Sequence, residues 1–130
     1  LGTGMLQASD VMHIGSKIPK VLENASLRSV IVEMTKKSFG HVGVINKNNK
    51  LLGVITDGDL RRHVKKGILD LNAKQVMTSS PKLVLSSKLM TEVMKIMNKN
   101  KITCLFVVND FSKKVPVGII HIHDCLRYAH

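Results

Sequence analysis

Residues 51–62 read LLGVITDGDLRR, an apolar run that ends in a hydroxyl, two carboxylates and two guanidinium groups. Thr56 stands where a strand gives way to a helix, and a helix N-terminus offers unpaired N–H groups and partial positive charge, a place for a phosphate. Its hydroxyl can donate to the same phosphate. Asp59 carries two acceptor oxygens suited to the paired hydroxyls of a ribose. Arg61 and Arg62 supply cations that can neutralise a phosphate with two-pronged geometry. The same residues also have a purely local use. Thr56, Asp57 and Asp59 all favour the start of a helix, through capping and the helix dipole, and one copy of the stretch does not separate the two uses.

A second copy is present. At a shift of 65 residues, DVMHIG (10–15) answers to QVMTSS (75–80) and GVITDGDLRR (53–62) to GIIHIHDCLR (118–127). Met12 falls on Met77, Gly53 on Gly118, Asp59 on Asp124 and Arg62 on Arg127. Between these ends the shift is 63, so that Leu27, Val30, Ile31 and Met34 fall on Met90, Val93, Met94 and Met97. The length difference is confined to loops, as a duplicated fold requires. A cap alone is not expected to call for an aspartate three residues beyond the strand end with an arginine three further on. His121 stands where the first copy has Thr56, and it joins His123 and Asp124 in the stretch HIHD.

Each copy predicts the same elements. Leu27, Val30, Ile31 and Met34 recur at helical spacing behind Ser26, which can cap the helix. HVGVIN and KLLGVIT are β-rich runs joined by an Asn-rich turn, and a short helix of about 58–66 follows Thr56 and ends at Gly67. The second half repeats this with a helix over about 88–98, strands CLFVVN and VPVGIIH, and a closing helix from His123. Short extended segments precede the first helix of each copy, at 19–22 and 82–85. The fold class is therefore α/β (α+β), two β-α-β-β-α repeats about a pseudo-twofold axis. The boundaries are a linker at 1–9, repeat 1 at 10–67, a connector at 68–74 and repeat 2 at 75–130. A unit of about 60 residues is marginal alone, so the repeats are expected to pack together and leave a cleft between related strand ends.

Composition narrows the function. The 130 residues are 44% apolar but only 3% aromatic, so a core must be built from Val, Ile, Leu and Met. Met77, Met90, Met94 and Met97 read as packing. Cys104 and Cys125 sit among apolar neighbours and suit buried thiols in a reducing compartment. No apolar run reaches a membrane span and no secretory signal order is present, so the chain is expected to be soluble and cytoplasmic. The net charge of +11 comes from lysines spread along the chain, and with few aromatic residues for stacking it argues for general attraction of anions over nucleic-acid binding. HIHD could belong to a zinc site, with His41 or His13 as candidates for a further ligand, but it holds two imidazoles and one carboxylate where a closed site needs about four ligands. No nucleophile and base pair stands out, and no catalytic residue is assigned.

The constellation resembles the CBS domain, whose tandem pairs bind adenosine-type ligands and regulate an attached protein. GVITDGD meets the whole hallmark of that family: Gly, two apolar residues, Thr or Ser, two free positions, Asp. The resemblance implies that Thr56 contacts phosphate and Asp59 ribose. It extends the first site to Asp57, Arg62, Met77 and Thr78, and gives a second one of His121, His123, Asp124 and Arg127 with Ile18 and Pro19. His121 departs from the pattern. DVMHIGSKIP, TDGDLRR and HIHDCLR together are similar to the C-terminal CBS pair of arabinose-5-phosphate isomerases. That closer resemblance implies an upstream sugar isomerase (SIS) domain that holds the catalysis, with LGTGMLQASD, which begins without Met, as the linker leaving it. It also implies a homodimer of CBS pairs and no required cofactor. The regulatory ligand would be AMP, ATP or, from the logic of lipopolysaccharide synthesis, CMP-Kdo. Metal or nucleic-acid binding is the alternative.

Overall fold

A computed structural model describes residues 5–67 and 70–128. It opens with a single helical turn, α1 (Ala8–Val11), and a 3-10 turn at Gly15–Lys17, which lead to β1 (Lys20–Leu22). Ser26 then caps α2 (Leu27–Lys37), its hydroxyl oxygen accepting from the Ser29 N–H at 3.2 Å. Leu27, Val30 and Met34 of α2 are buried on one face, as their spacing requires. The helix carries the chain back so that β2 (His41–Ile45) runs parallel to β1, the pairing a helical crossover permits. A tight turn follows, in which Asn46 Oδ1 accepts from the N–H groups of Asn48 and Lys50 at 2.9 and 3.0 Å. It returns the chain antiparallel as β3 (Leu51–Thr56). β3 runs directly into α3 (Asp57–Lys65), and Gly67, at φ 71°, ends the turn by donating its N–H to Val64.

Next come a second short helix, α4 (Ala73–Val76), and the two-residue β4 (Thr78–Ser79), which pairs antiparallel with β3. The plan then repeats as β5 (Leu83–Leu85), α5 (Met90–Asn100), β6 (Cys104–Val108), β7 (Pro116–His121) and α6 (Ile122–Leu126). The strand order is β1-β2-β3-β4 in one sheet and β5-β6-β7 in the other. Even the irregularities match: β2 shifts register between Val44 and Ile45, and β6 between Val107 and Val108. The mixed α/β class and the β-α-β-β-α order of each half stand as the sequence predicts. Helix ends move by one or two residues, because Thr56 caps α3 so that it starts at Asp57, one residue before the expected start, and Leu89 flanks α5 without a side-chain cap.

The chain divides into two compact units, one of Pro19–Pro81 and one of Leu1–Ile18 with Lys82–His130. Each repeat thus surrenders its opening segment, α1 or α4, to the unit that holds the other repeat's hallmark strand. In the first unit α4 contributes Ala73 and Val76 to a buried cluster with Val30, Met34, Val42, Val44 and Ile55. In the second, α1 contributes Ala8 and Val11 to a cluster with Met90, Val93, Met97, Leu105 and Ile120. Met90 and Met97 are fully buried and Met94 packs against them, which is the packing role their setting predicted. No helix of the described residues is long and apolar enough to cross a membrane.

Candidate functional site

Both hallmark strands end in the same local construction. In the first unit the Thr56 hydroxyl oxygen accepts from the Asp59 N–H at 3.2 Å, while Asp59 Oδ2 accepts from the Thr56 N–H at 2.9 Å. Two backbone donors orphaned by the helix start are thereby satisfied. Asp59 Oδ1 takes the Arg62 guanidinium, one turn on. In the second unit Asp124 Oδ2 accepts from the His121 N–H at 2.8 Å, His121 Nδ1 accepts from the His123 N–H at 3.1 Å, and Asp124 Oδ1 accepts from Arg127 at 3.0 Å. An imidazole nitrogen so does the capping work of the Thr56 hydroxyl.

This geometry corrects one expectation. The third helical position is the one from which a carboxylate reaches back to the capping residue's N–H, so a reciprocal cap does account for an aspartate there, and at α-helical spacing an arginine three residues later meets it. What capping does not explain is the burial. Asp59 and Asp124 are 7% and 4% exposed, the only buried charged residues among those described, whereas an ordinary helix-start carboxylate stays in water. Each is held by charge-assisted bonds whose cation, Arg62 or Arg127, remains well exposed.

The remaining candidates fall around these two cores. Asp57 turns to Arg61 in an exposed ion pair at 3.2 Å, an arrangement of little energetic weight. Thr78 pairs with Val54 and is exposed. Met77 lies against Gly53: a Cβ on that glycine would stand 2.6 Å from the Met77 sulfur and 2.6 Å from the Thr78 carbonyl oxygen. Gly118 is covered in the same way by Met12. Ile18 is buried, its N–H donating to Gly15, while the Pro19 carbonyl accepts from the Gly43 N–H of β2 at 2.9 Å. One participant entered the sequence reading only as a candidate zinc ligand beside HIHD. His13 Nε2 lies 2.9 Å from Asp124 Oδ1, placed there because His13 pairs with Ile119 through backbone bonds of 2.8 and 3.0 Å. The repeat held the signal: Met12 and His13 precede the first helix as Met77 and Thr78 precede the second.

His121 and His123 stack face to face, ring centroids 4.8 Å apart at 20°. One His121 nitrogen is already committed to the cap, and among the described residues no three His, Cys, Asp or Glu side chains gather as metal ligands. Burial holds the His41 imidazole below its ordinary value, against the opposing pull of the Phe39 carbonyl and the Asp59 charge. His41 pairs across the sheet with Thr56, and its own burial disfavours its charged form there. Apart from these sites, an open groove of about 710 Å³ runs between α2 and α3. It is lined by Ile31, Met34, Leu60 and Val64 with Arg61 and Lys65 at its polar side, and of the expected ligand residues only Asp57 reaches it.

Two units with this strand and helix order, each with a buried, arginine-bound aspartate in the helix that follows its hallmark strand, define a tandem α/β repeat architecture. The CBS domain model matches residues 8–66 and 73–130, and the chain belongs to that family. It is 42% identical over 125 residues to the arabinose 5-phosphate isomerase KdsD of Pseudomonas aeruginosa, a match that covers 95% of this chain and 38% of that one. The chain therefore spans about two fifths of the length of this curated relative. Among solved structures, the fold matches the CBS domain pair of protein MJ0100 in complex with 5'-methylthioadenosine and S-adenosyl-L-methionine, at a TM-score of 0.83 and 20% identity over 95% of this chain and 94% of that one. It also matches CBSX2, of Arabidopsis thaliana, in complex with AMP, at a TM-score of 0.79 and 24% identity over 95% of each chain.

Proposed function

We propose that this CBS pair is the regulatory module of an arabinose-5-phosphate isomerase and that it binds a nucleotide or sugar nucleotide at Thr56, Asp59 and Arg62. The observation that carries the reading is the burial of the Asp59 carboxylate beside an exposed guanidinium, at a helix start that can receive a phosphate. The carboxylate takes the ribose hydroxyls, and Arg62 with the Thr56 hydroxyl and the helix N–H groups takes phosphate. Met77 and Thr78, on the neighbouring edge of β3, complete the site. In the second unit Asp124, Arg127, His121 and His123, with Ile18, form the related site. The adenosine ligands named with the two structural relatives and the identity to KdsD support this reading. Catalysis belongs to an SIS domain elsewhere in the parent chain, and ligand occupancy reaches it as a bias between two arrangements of the module.

Isothermal calorimetry with AMP, ATP and CMP-Kdo tests the reading. At least one of the three is expected to bind, and Asp59→Ala to weaken it by roughly 10–100-fold, the loss of one charge-assisted hydrogen bond at about 1.5–3 kcal/mol. Equal, weak heats from all three with both proteins would remove the site. A homodimer in a cytoplasmic setting is part of the proposal, supported by the apolar groove between α2 and α3 and by the exposed Ile31, Val32 and Val64 beside it. Sedimentation equilibrium of the same samples is expected to give twice the chain mass, and a monomer at tens of micromolar would remove the pairing.

A further inference from the structure

The two aspartate sites are not equivalent, and the inequality has one source outside the hallmark itself. A carboxylate has about four lone-pair positions, and a vicinal diol needs two of them. Asp59 spends two, on the Thr56 N–H and Arg62. Asp124 spends three, on the His121 N–H, Arg127 and His13. The strand register makes the comparison strict: Thr78 pairs with Val54 and His13 with Ile119, so the two residues hold the same place beside matched strands. Thr78 is short, exposed and makes no bond to Asp59. His13 lays a ring nitrogen on the carboxylate oxygen that already takes Arg127, whereas the matching oxygen of Asp59 takes Arg62 alone.

We infer that His13 is the specificity-determining residue that closes the Asp124 site, acting as an internal occupant of the carboxylate positions a ribose would need, so that the chain binds one nucleotide rather than two. The inference rests on the reading of Asp59 as a ribose ligand. His121 is a weaker candidate for the same effect: its ring nitrogen serves the cap that Thr56 serves in the first unit, and its backbone N–H reaches Asp124 as the Thr56 N–H reaches Asp59.

Calorimetry with AMP as the probe counts sites in the whole chain and in four variants: His13→Thr, which installs the residue found at the matched position, His13→Ala, His121→Thr and His13→Thr/Asp59→Ala. Circular dichroism establishes that each is folded. One AMP per chain is expected for the parent and for His121→Thr, and two for the His13 variants, the added site within about tenfold of the first in affinity. The double variant is expected to keep one. Two sites in the parent, one site in the parent and still one in both folded His13 variants, or opening by His121→Thr alone would overturn the inference. No binding by the parent but one site in His13→Thr would remove the Asp59 reading while supporting the closure of Asp124 by His13. No binding by any of the proteins would overturn both.

Discussion

Gly53→Ala is expected to lower the melting temperature by roughly 5–20 °C, and Met77→Ala is expected to restore little of the loss. The new methyl group would meet the Met77 sulfur at 2.6 Å, which a flexible thioether can relieve, but it would also meet the Thr78 carbonyl oxygen at 2.6 Å. That oxygen belongs to β4, whose pairing with β3 at Gly53–Ser79 and Val54–Thr78 fixes it. Overpacking of this kind costs about 1–3 kcal/mol, and each kcal/mol moves a domain of this size by about 4–8 °C. Gly118 offers the control. There the added Cβ would collide with the Met12 side chain, its Cγ at 2.8 Å, while the nearest backbone atom, the His13 carbonyl oxygen, stands at 3.1 Å. Gly118→Ala is thus expected to be rescued by Met12→Ala. Thermal melts arranged as two double-mutant cycles should give a coupling of about 1 kcal/mol or more for the 12/118 pair and under about 0.5 kcal/mol for 53/77. Equal couplings would mean that the backbone contact at Gly53 is not what the glycine is there for.

The hallmark glycine stands in the sequence, but what approaches it does not. Helical spacing placed Leu27, Val30 and Met34 on one buried face and Ser26 at the cap, because a 3.6-residue period over eleven residues is a strong pattern. α1 and α4 span four residues each and β4 spans two, too short for any period to register. Their one local signal is the reciprocal cap: Gln7 with Asp10, and Asn72 with Gln75. Those short elements deliver Met77 to Gly53 and His13 to Asp124, a partner 111 residues away in the chain. No spacing rule spans such a distance, and only the internal repeat hints at it.

The repeat was also the firmest guide to the aspartates, though for a reason different from the one it first suggested. Asp59 and Asp124 both complete caps, so their recurrence alone does not separate a structural duty from a ligand. Burial sets them apart from an ordinary cap, and burial is a tertiary property: Asp57, two residues from Asp59, lies in water on the same turn. The replacement of Thr56 by His121 marked the second site as different. In our inference the difference comes from His13 and not from the replaced residue, whose ring nitrogen preserves the cap.

Native thiol labelling should be very slow, at least 100-fold below a free cysteine for Cys125 and slower still for Cys104. Both thiols are buried and unpaired by disulfide. Burial first, and then the charge of Asp124, push the Cys125 thiol up to about 11 and the Cys104 thiol higher. At pH 8 a thiol at 9.0 is about one-tenth thiolate and one at about 11 is about one-thousandth, and only the thiolate attacks iodoacetamide. Mass spectrometry after timed alkylation, native and in guanidinium chloride, reads the ratio directly; comparable rates in the two would show the thiols to be accessible. The sign of the accompanying pH dependence follows from linkage. A thiol whose folded value lies above its unfolded one contributes stability that is complete below about pH 9 and is lost as pH rises through about 11. The melting temperature is expected to fall over that interval, and the fall to be shallower in Cys125→Ala. Because Asp124 raises both thiols, Asp124→Asn is expected to speed their labelling at constant burial, whereas His13→Thr, which removes a donor but leaves the carboxylate, should not. The two cysteines therefore report the charge of the carboxylate that His13 covers, independently of whether any nucleotide binds.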